Sequence, residues 1–516
     1  MIVLEFKQTQ VREPERGIEV NNKNFQKHQI VAAVAAAFLC TAGPLLGQDT
    51  SQRVEELEEA VKALTKEIDA LKSQANDNKE KTATVQQKVD SSVPTASLGE
   101  GVGFSDPKGQ WSLRFTGRIQ GDYRTYDPNG ISASTFGLRR ARIGAALTVL
   151  KDYQMYVEGE FVNGAATGTT TQTAALTNGW LEATWFNAAK VRIGQFKPQF
   201  GFENSMPDVL TDFQERALTQ SLLQNLNYDR GIMVHGSPLK GMYYGVTVSN
   251  GTGLNLEESQ GNTQEASTDG KDLSVRLVQN FAEFLDVPDL VLHFGGSYKS
   301  GSVTTRGGTA FTPATVQTEA RGITFFNSAS LSGTDMDRTI SELETTAAFG
   351  PVKVQGEYWQ ARYEGSTTGG VPYDRKLDAY YISLGWMITG ESYADSYRNG
   401  VYGRLRPRNN FSMEDGGGWG AWELGLRYSA FDGSDFTTTN AAGTGVLGAG
   451  AATLSPPVTV STNKADAYTV QIKWLPNAYT RFLVNYVQTN FDTPVTANGV
   501  TTDDEKAITL RAQFDF

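Results

Sequence analysis

Alternation of apolar and polar residues, repeated in segment after segment from residue 110 to the C-terminus, is the feature that most constrains this chain. Successive side chains of a β-strand point to opposite faces, so the pattern predicts strands with one apolar and one polar face. In the last segment Ile508, Leu510 and Ala512 alternate with Thr509 and Arg511. Because a helical period is not evident here, residues 110–516 are predicted to be all-β.

Sixteen such segments can be separated, and most have the length of about 9 to 14 residues that crosses a bilayer when a strand is tilted. Short connectors alternate with long ones, as in barrels with short turns on one side of the membrane and long loops on the other. The connector 391–418 should be short and is not, so the count could differ by one hairpin there. The predicted strands begin near Gln110, Thr135, Asp152, Thr177, Ala189, Asp229, Gly241, Gly270, Asp289, Asp337, Val352, Lys376, Trp419, Lys464, Ala478 and Asp504.

The composition excludes a membrane protein built from several helices. Several membrane-spanning helices require repeated apolar runs of about 20 residues. Such runs do not recur here, the mean hydropathy is −0.36, and 20% of the 516 residues are charged. A transmembrane barrel needs only alternate apolar residues and is compatible with this value. A soluble sandwich is the all-β alternative, yet it has no reason to alternate connector length. We therefore predict a 16-stranded antiparallel transmembrane β-barrel over residues 110–516.

Several functional classes are disfavoured. The net charge of −11 argues against nucleic-acid binding, which requires a basic surface. The histidines are His28, His235 and His293, and the one cysteine is Cys40, so a Cys/His metal site is not expected. The glycine-rich 443–448 segment has dinucleotide-loop spacing but lacks a preceding strand and a following helix. We expect no catalytic residues, no metal and no cofactor.

The N-terminal segment has the features of an export signal. An apolar run, Ile30–Cys40, follows Lys27 and leads towards Gly47. A run of about 11 apolar residues behind a basic flank is typical of a secretory signal and is too short to span a bilayer. Residues 1–47 are predicted to be a signal peptide with an extended leader.

A heptad pattern follows the signal. Val54, Leu57, Val61, Leu64 and Ile68 alternate spacings of three and four, with Glu and Lys between them. So narrow an apolar stripe needs a partner helix, so residues 48–93 are predicted to form a periplasmic coiled coil. Its β-branched and Leu core positions nominally favour dimers. Glycines then indicate a flexible linker over residues 94–109.

Four motifs in the barrel region resemble the phosphate-selective porin O and P family. Each motif is moderately specific, whereas four in the same order over residues 110–516, followed by a terminal Phe516, are much more so. The motifs are FGLRRARIG at 136–144, RIGQFKP at 192–198, DRG at 229–231 and GAWELGLRYS at 420–429. The resemblance implies a homotrimeric porin of the cell outer membrane whose third long loop, here residues 197–228, folds into the pore. An alternating last strand that ends in Phe also resembles the signal read by the barrel assembly machinery.

Basic residues predicted to face the lumen are the candidate anion-guiding group. Charge in a narrow water-filled pore acts on an ion at close range. Arg140, Arg142 and Lys197 lie in the family motifs, where the resemblance implies a role in guiding anions; the others are assigned from strand phase. The candidates are Arg114, Arg118, Arg140, Arg142, Arg192, Lys197, Arg481 and Arg511. Arg139, by the same alternation, is expected to face lipid or a neighbouring subunit.

Carboxylates are predicted in the same lumen, so the basic residues have potential partners. Those on the strands are Glu158, Glu160, Glu182, Glu342, Glu344, Glu357 and Glu423. Those of the constriction loop are Glu203, Asp208, Asp212 and Glu215. An acidic loop opposite a basic wall is typical of a general-diffusion pore, so both phosphate selectivity and general diffusion remain open.

The sequence thus predicts an outer-membrane porin for passive diffusion of small hydrophilic solutes and ions, with a possible preference for anions such as phosphate. Its expected partners are outer-membrane lipid, two further copies of itself and the assembly machinery. The alternative is a structural envelope protein whose coiled coil tethers the outer membrane and whose barrel is only an anchor.

Overall fold

The structure, a computed structural model, describes most of the chain after the predicted signal segment. The described residues are 50–90, 94–97, 101–162, 174–224, 226–255, 270–304, 310–311, 313–328, 331–332, 335–366, 372–414, 416–436, 438–439, 445–446 and 462–516. The predicted signal peptide, residues 1–47, lies outside them. The chain divides into two compact units at Val89.

The described part of the first unit is a single helix, α1 (Thr50–Asp90). Its apolar stripe includes Leu57, Val61 and Leu64, each more than half exposed. Of the described helices, none is both long and apolar enough to cross a membrane. The exposed stripe matches the heptad pattern, and the coiled coil itself stays a prediction.

The second unit is built on sixteen long antiparallel strands. They are β1 (Trp111–Asp127), β2 (Thr135–Val149), β3 (Tyr153–Glu160), β4 (Ala175–Phe186), β5 (Ala189–Phe196), β6 (Asp229–Gly236), β7 (Met242–Ser249), β8 (Asp272–Asn280), β9 (Leu290–Thr304), β10 (Asp335–Phe349), β11 (Val352–Ser366), β12 (Pro372–Met387), β13 (Ala421–Asp432), β14 (Lys464–Asn477), β15 (Thr480–Ala497) and β16 (Val500–Asp515). Each pairs with its sequence neighbours, and β16 pairs with β1. The predicted closed 16-stranded barrel is confirmed.

Closure depends on the two terminal strands of the barrel. Ala512 faces Gly121 and Asp515 faces Arg118 across the β16–β1 ladder. The ladder ends where the backbone N–H of Gly117 donates to the carbonyl of Phe516 (3.1 Å) and the N–H of Phe516 donates to the carbonyl of Gly117 (3.0 Å). A closed ladder leaves no unpaired sheet edge in the membrane.

The predicted flexible linker instead contributes to the sheet. Thr95–Ser97 pairs with Val102–Ser105, and the latter pairs with the Ser112–Phe115 part of β1. This part of β1 lies beyond the reach of β16, so its edge is free to accept another strand. Gly103, which lies opposite Arg114, therefore allows close pairing of these strands.

The faces of the strands follow the predicted alternation. Ile508 and Phe514 are about half exposed on the outside, whereas Arg511 and Gln513 are buried on the inside. Outward apolar residues suit contact with lipid, and the polar inner face suits a water-filled lumen.

Three connections fold back into the barrel. Residues 197–228 and 313–328 pack together on inward-facing Trp359, Ala361 and Tyr363. The described residues of the unusual connector, 388–414 and 416–420, contain no further long strand, so the strand count stands. Its Tyr402 bonds inward-facing Thr346 (3.0 Å).

Shorter elements lie in the connections. The helical ones are Phe202–Ser205, Leu218–Leu223, Phe281–Phe284, Ala394–Ser396 and Ser434–Phe436. The strand pairs are Ala310–Phe311 with Leu331–Ser332, Thr315–Gln317 with Thr324–Asn327, Tyr397–Arg398 with Val401–Tyr402, and Thr438–Thr439 with Gly445–Val446.

We predict that Gly194→Ala disrupts barrel assembly. Gly194 has φ +127°, and an added Cβ would contact the carbonyl of Gly179 and lie 2.9 Å from the Cα of Trp180. The strain and clash should cost about 1–3 kcal/mol. The yield of heat-modifiable folded barrel on gels should fall. Gly137→Ala is the matched control, because its Cβ would meet nothing within 4 Å. Equal yields of both variants would contradict the packing described here.

Candidate functional site

Residues 197–228, which we call loop 3, connect β5 to β6. Their described residues, 197–224 and 226–228, lie inside the barrel. Apolar side chains fix one side of the loop to the wall. The ring of Phe200 lies 5.0 Å from that of Trp359, and the ring of Phe202 lies 5.2 Å from that of His293. The loop is therefore a built constriction, as the family resemblance implies.

Guanidinium groups line the lumen on three adjacent strands. They are Arg118 and Arg124 on β1, Arg139, Arg140 and Arg142 on β2, and Arg511 on β16. We call these six residues the arginine wall. The strand phases predicted the inward orientation of four of them, and Arg124 shares the phase of Arg118.

Arg139 departs from the prediction that it faces lipid. Its Nε lies 2.9 Å from Oε1 of loop residue Glu215, so it points into the lumen. The ladder between β1 and β2 pairs Gln120 with Arg140 but Gly121 with Leu138, which leaves Arg139 as the extra residue of a β-bulge. A bulge breaks the period of two and allows both Arg139 and Arg140 to point inward.

Asp208 lies at the centre of the first cluster of basic side chains in the constriction. Its carboxylate accepts from Lys197 (2.9 Å) and Arg216 (2.6 Å) within loop 3 and from Arg142 (3.1 Å) on the wall. The Nε of Arg140 is 3.6 Å away. Burial alone would raise the pKa of Asp208, but these cations outweigh burial and hold that pKa well below its ordinary value.

Glu215 lies at the centre of the second cluster of basic side chains. It is bound by Arg139 (2.9 Å), Arg124 (2.8 Å) and Arg511 (2.8 Å), so all three strands of the wall contact one carboxylate. Burial opposes ionisation of Glu215, yet the neighbouring arginines hold its pKa well below the ordinary value. Asp208 and Glu215 together hold the loop on the arginine wall.

The other two loop acids bind elsewhere in the lumen. Asp212 pairs with Lys353 on β11 (2.6 Å). Glu203 accepts the backbone N–H of Ala217 (2.9 Å) and lies 3.4 Å from Arg427 on β13. The loop is thus held on several sides, and its acids contact basic residues directly instead of facing them across open water.

The remaining predicted basic residues take other positions along the barrel wall. Arg118 pairs with Glu158, a wall carboxylate. Arg192 pairs with Glu182 (2.6 Å) and lies over the ring of Trp180, 3.9 Å from its centroid. Arg481 is buried on β15, and Arg114 is at the exposed end of β1.

The predicted wall carboxylates all lie buried in the lumen. They are Glu158, Glu160, Glu182, Glu342, Glu344, Glu357 and Glu423. Glu160 pairs with Arg142 (2.7 Å), and Glu423 pairs with Lys473 (2.9 Å).

A cavity of about 480 Å³ lies between loop 3, the arginine wall and residues 315–321. Arg139, Arg140, Arg216 and Arg321 line it, together with Gln214. The side-chain carbonyl of Gln214 is buried without a hydrogen-bond partner among the described residues. Asp208, Glu215 and Glu319 line it as well, so the cavity presents guanidinium groups, carboxylates and neutral polar groups to a hydrated solute.

Some residues of the site were not singled out from the sequence. Glu319 bonds Arg427 (2.6 Å), and Arg321 lines the cavity. Both lie in a connection without periodicity, so the alternation carried no signal for them. Arg427 lies in a family motif on β13, and its phase matches that of Glu423.

Comparison with known proteins identifies the family. The family model described as phosphate-selective porin O and P matches residues 113–516. The chain belongs to this family. Porin O of Pseudomonas aeruginosa is 23% identical to this porin over 437 residues, which are 79% of this chain and 89% of that protein. The predicted family is confirmed.

Solved structures also match the porin. An anion-selective porin from Comamonas acidovorans is 13% identical, with a TM-score of 0.46, and the match covers 79% of this chain and 100% of that one. The outer membrane channel DcaP of Acinetobacter baumannii is 12% identical, with a TM-score of 0.46 and coverage of 79% and 98%. Family membership identifies the porin as an outer-membrane channel rather than an enzyme.

We predict that the ion preference of the porin depends on pH through Lys197. Burial, together with the neighbouring Arg216, lowers the pKa of Lys197 to about 7 despite its contact with Asp208. Raising the pH from about 6 to about 8 should remove this charge and reduce anion preference in reversal-potential measurements. Lys197→Arg is the control, because arginine stays charged throughout this range. Identical pH profiles of both proteins would contradict the assignment.

Proposed function

We propose that the protein is a passive pore for small hydrophilic solutes and ions with a preference for anions, phosphate among them. One observation carries the proposal. In the described constriction, eight basic side chains, the arginine wall with Lys197 and Arg216, share only five carboxylates: Asp122, Glu158, Glu160, Asp208 and Glu215. The excess of positive charge favours anions beside loop 3.

Guanidinium chemistry supports the inclusion of phosphate. Arginine presents N–H donors in a planar fork that matches two oxygens of a phosphate, and these donors replace part of the water that the anion loses. Arg139, Arg140 and Arg321 line the same cavity. Since each wall arginine keeps a carboxylate partner, the bound anion is held weakly enough to leave, as conduction requires.

We further propose a homotrimer in the outer membrane, with helix α1 on the periplasmic side. The outward apolar faces of the barrel and the exposed stripe of α1 both supply surfaces for association. The barrel should determine the stoichiometry, because its contact area would exceed that of a few heptads. Phe516 and Phe514, whose rings lie 6.1 Å apart, are proposed to be read by the assembly machinery.

The structure of the lumen argues against a protein that serves only as an envelope tether. A barrel that serves only as an anchor does not require six arginines and an inserted loop on its inner face. Purified trimer in planar bilayers separates the two functions. Regular conductance steps are expected, and their absence would contradict the pore.

We predict that the double variant R139A/R140A shifts the reversal potential in a salt gradient towards cations. The change removes two lumenal charges and leaves the outer face intact, so the barrel should still assemble. The shift should be largest at low salt, where screening is weakest. Arg362→Ala is the matched control, because Arg362 pairs with Asp374 at an exposed position. An unchanged potential with normal trimer yield would show that wall carboxylates neutralise these arginines.

A further inference from the structure

A group of three carboxylates lies apart from the Asp208 and Glu215 clusters. Glu342 and Glu344 are on β10 and Glu357 is on β11, and all three are at most 3% exposed. One oxygen from each lies within 4.8 Å of the others. Oxygens that bind a single Ca²⁺ at about 2.3–2.6 Å are at most about 5 Å apart, so the spacing fits one cation.

The strand register forces like charges together. Glu344 and Glu357 are direct partners across the β10–β11 ladder. Like charges at directly opposed positions destabilise a sheet, and burial strengthens the repulsion. A fold that keeps this arrangement needs positive charge between the two strands.

Protein groups compensate only one of the three carboxylates. Arg276 binds both oxygens of Glu344 (2.6 and 3.2 Å), and His293 binds one of them (2.8 Å). Among the described residues, Glu342 and Glu357 form no ion pair, both oxygens of Glu342 lack a hydrogen-bond partner, and so does Oε2 of Glu357. Two buried carboxyl groups without a counter-ion and three unpartnered oxygens therefore remain.

We propose that Glu342, Glu344 and Glu357 bind one divalent cation with a preference for hard oxygen ligands, Ca²⁺ before Mg²⁺. Once ionised, the carboxylates of Glu342 and Glu357 carry two negative charges, which match the charge of the ion. Ca²⁺ accepts irregular carboxylate geometry, whereas Mg²⁺ demands near-octahedral geometry and keeps its water. We expected no metal because the sequence lacks a cluster of histidine and cysteine ligands. That expectation did not consider a site made of carboxylates alone.

The proposed site lies at the start of loop 3. Oε1 of Glu357 accepts the backbone N–H groups of Phe202 and Glu203, the latter at 3.0 Å. The hydroxyl of Ser297, opposite Glu342 in the sheet, accepts the N–H of Gly201 (2.9 Å). A cation on the other oxygen of Glu357 would fix that side chain and with it the start of the loop. Binding of the cation can be measured apart from conduction, so this proposal and the proposed pore can fail separately.

Calcium binding to the full-length protein tests the proposal. Protein in detergent is freed of metal with EDTA, dialysed and titrated with Ca²⁺, and separately with Mg²⁺, by calorimetry. We expect one Ca²⁺ per chain in the wild type and affinity reduced roughly tenfold or more in Glu342→Gln, since affinity depends on ligand charge. Glu423→Gln is the matched control, because Glu423 is equally buried but pairs with Lys473.

A second measurement follows stability. EDTA should lower the unfolding temperature of the wild-type barrel and leave that of Glu342→Gln unchanged. If Glu342→Gln fails to fold, Glu357→Gln replaces it, because glutamine can still accept the two N–H groups of loop 3. Absence of Ca²⁺ binding in the wild type, or equal binding by the wild type and the foldable variant, would overturn the proposal. In that case a shared proton, not a cation, would relieve the repulsion.

Discussion

Two carboxylates of one loop, Asp208 and Glu215, hold the constriction in place by sharing the guanidinium groups of the arginine wall. A cluster of arginines in a narrow lumen repels itself, so it needs counter-charge to stay compact. The loop supplies two negative charges at the centre of the cluster, and Asp122, Glu158 and Glu160 supply the rest from the wall. The position of the loop and the charge of the pore therefore have one common cause.

The barrel makes this arrangement possible. Closure of β16 on β1 gives every long strand a partner on both sides and places Arg511 beside the arginines of β1 and β2. Apolar contacts, such as that of Phe200 with Trp359, fix the far side of loop 3. Apolar packing holds one side of the loop, and ion pairs with the arginine wall hold the other. The acids of the loop therefore contact the wall while the cavity beside Arg139 and Arg321 stays open.

The sequence predicted most of the fold, because period-two alternation encodes both the strands and their inner faces. Each predicted strand start lies within four residues of the observed one. Alternation failed at Arg139, where a bulge adds one residue and reverses the side-chain direction. It also carried no information on the inward folding of residues 313–328 and 388–420, since long-range packing determines loop conformation. The basic partner of each loop acid depends on the same long-range packing, so alternation could not predict it.

The reversal potential of the double variant D208N/E215Q in a salt gradient tests the central claim most directly. Both substitutions keep the size of the side chain and remove two negative charges, so eight basic side chains would share three carboxylates. The account predicts a stronger anion preference than that of the wild type, together with larger fluctuations of current as the loop loosens from the wall. An unchanged potential, or a shift towards cations, would contradict it.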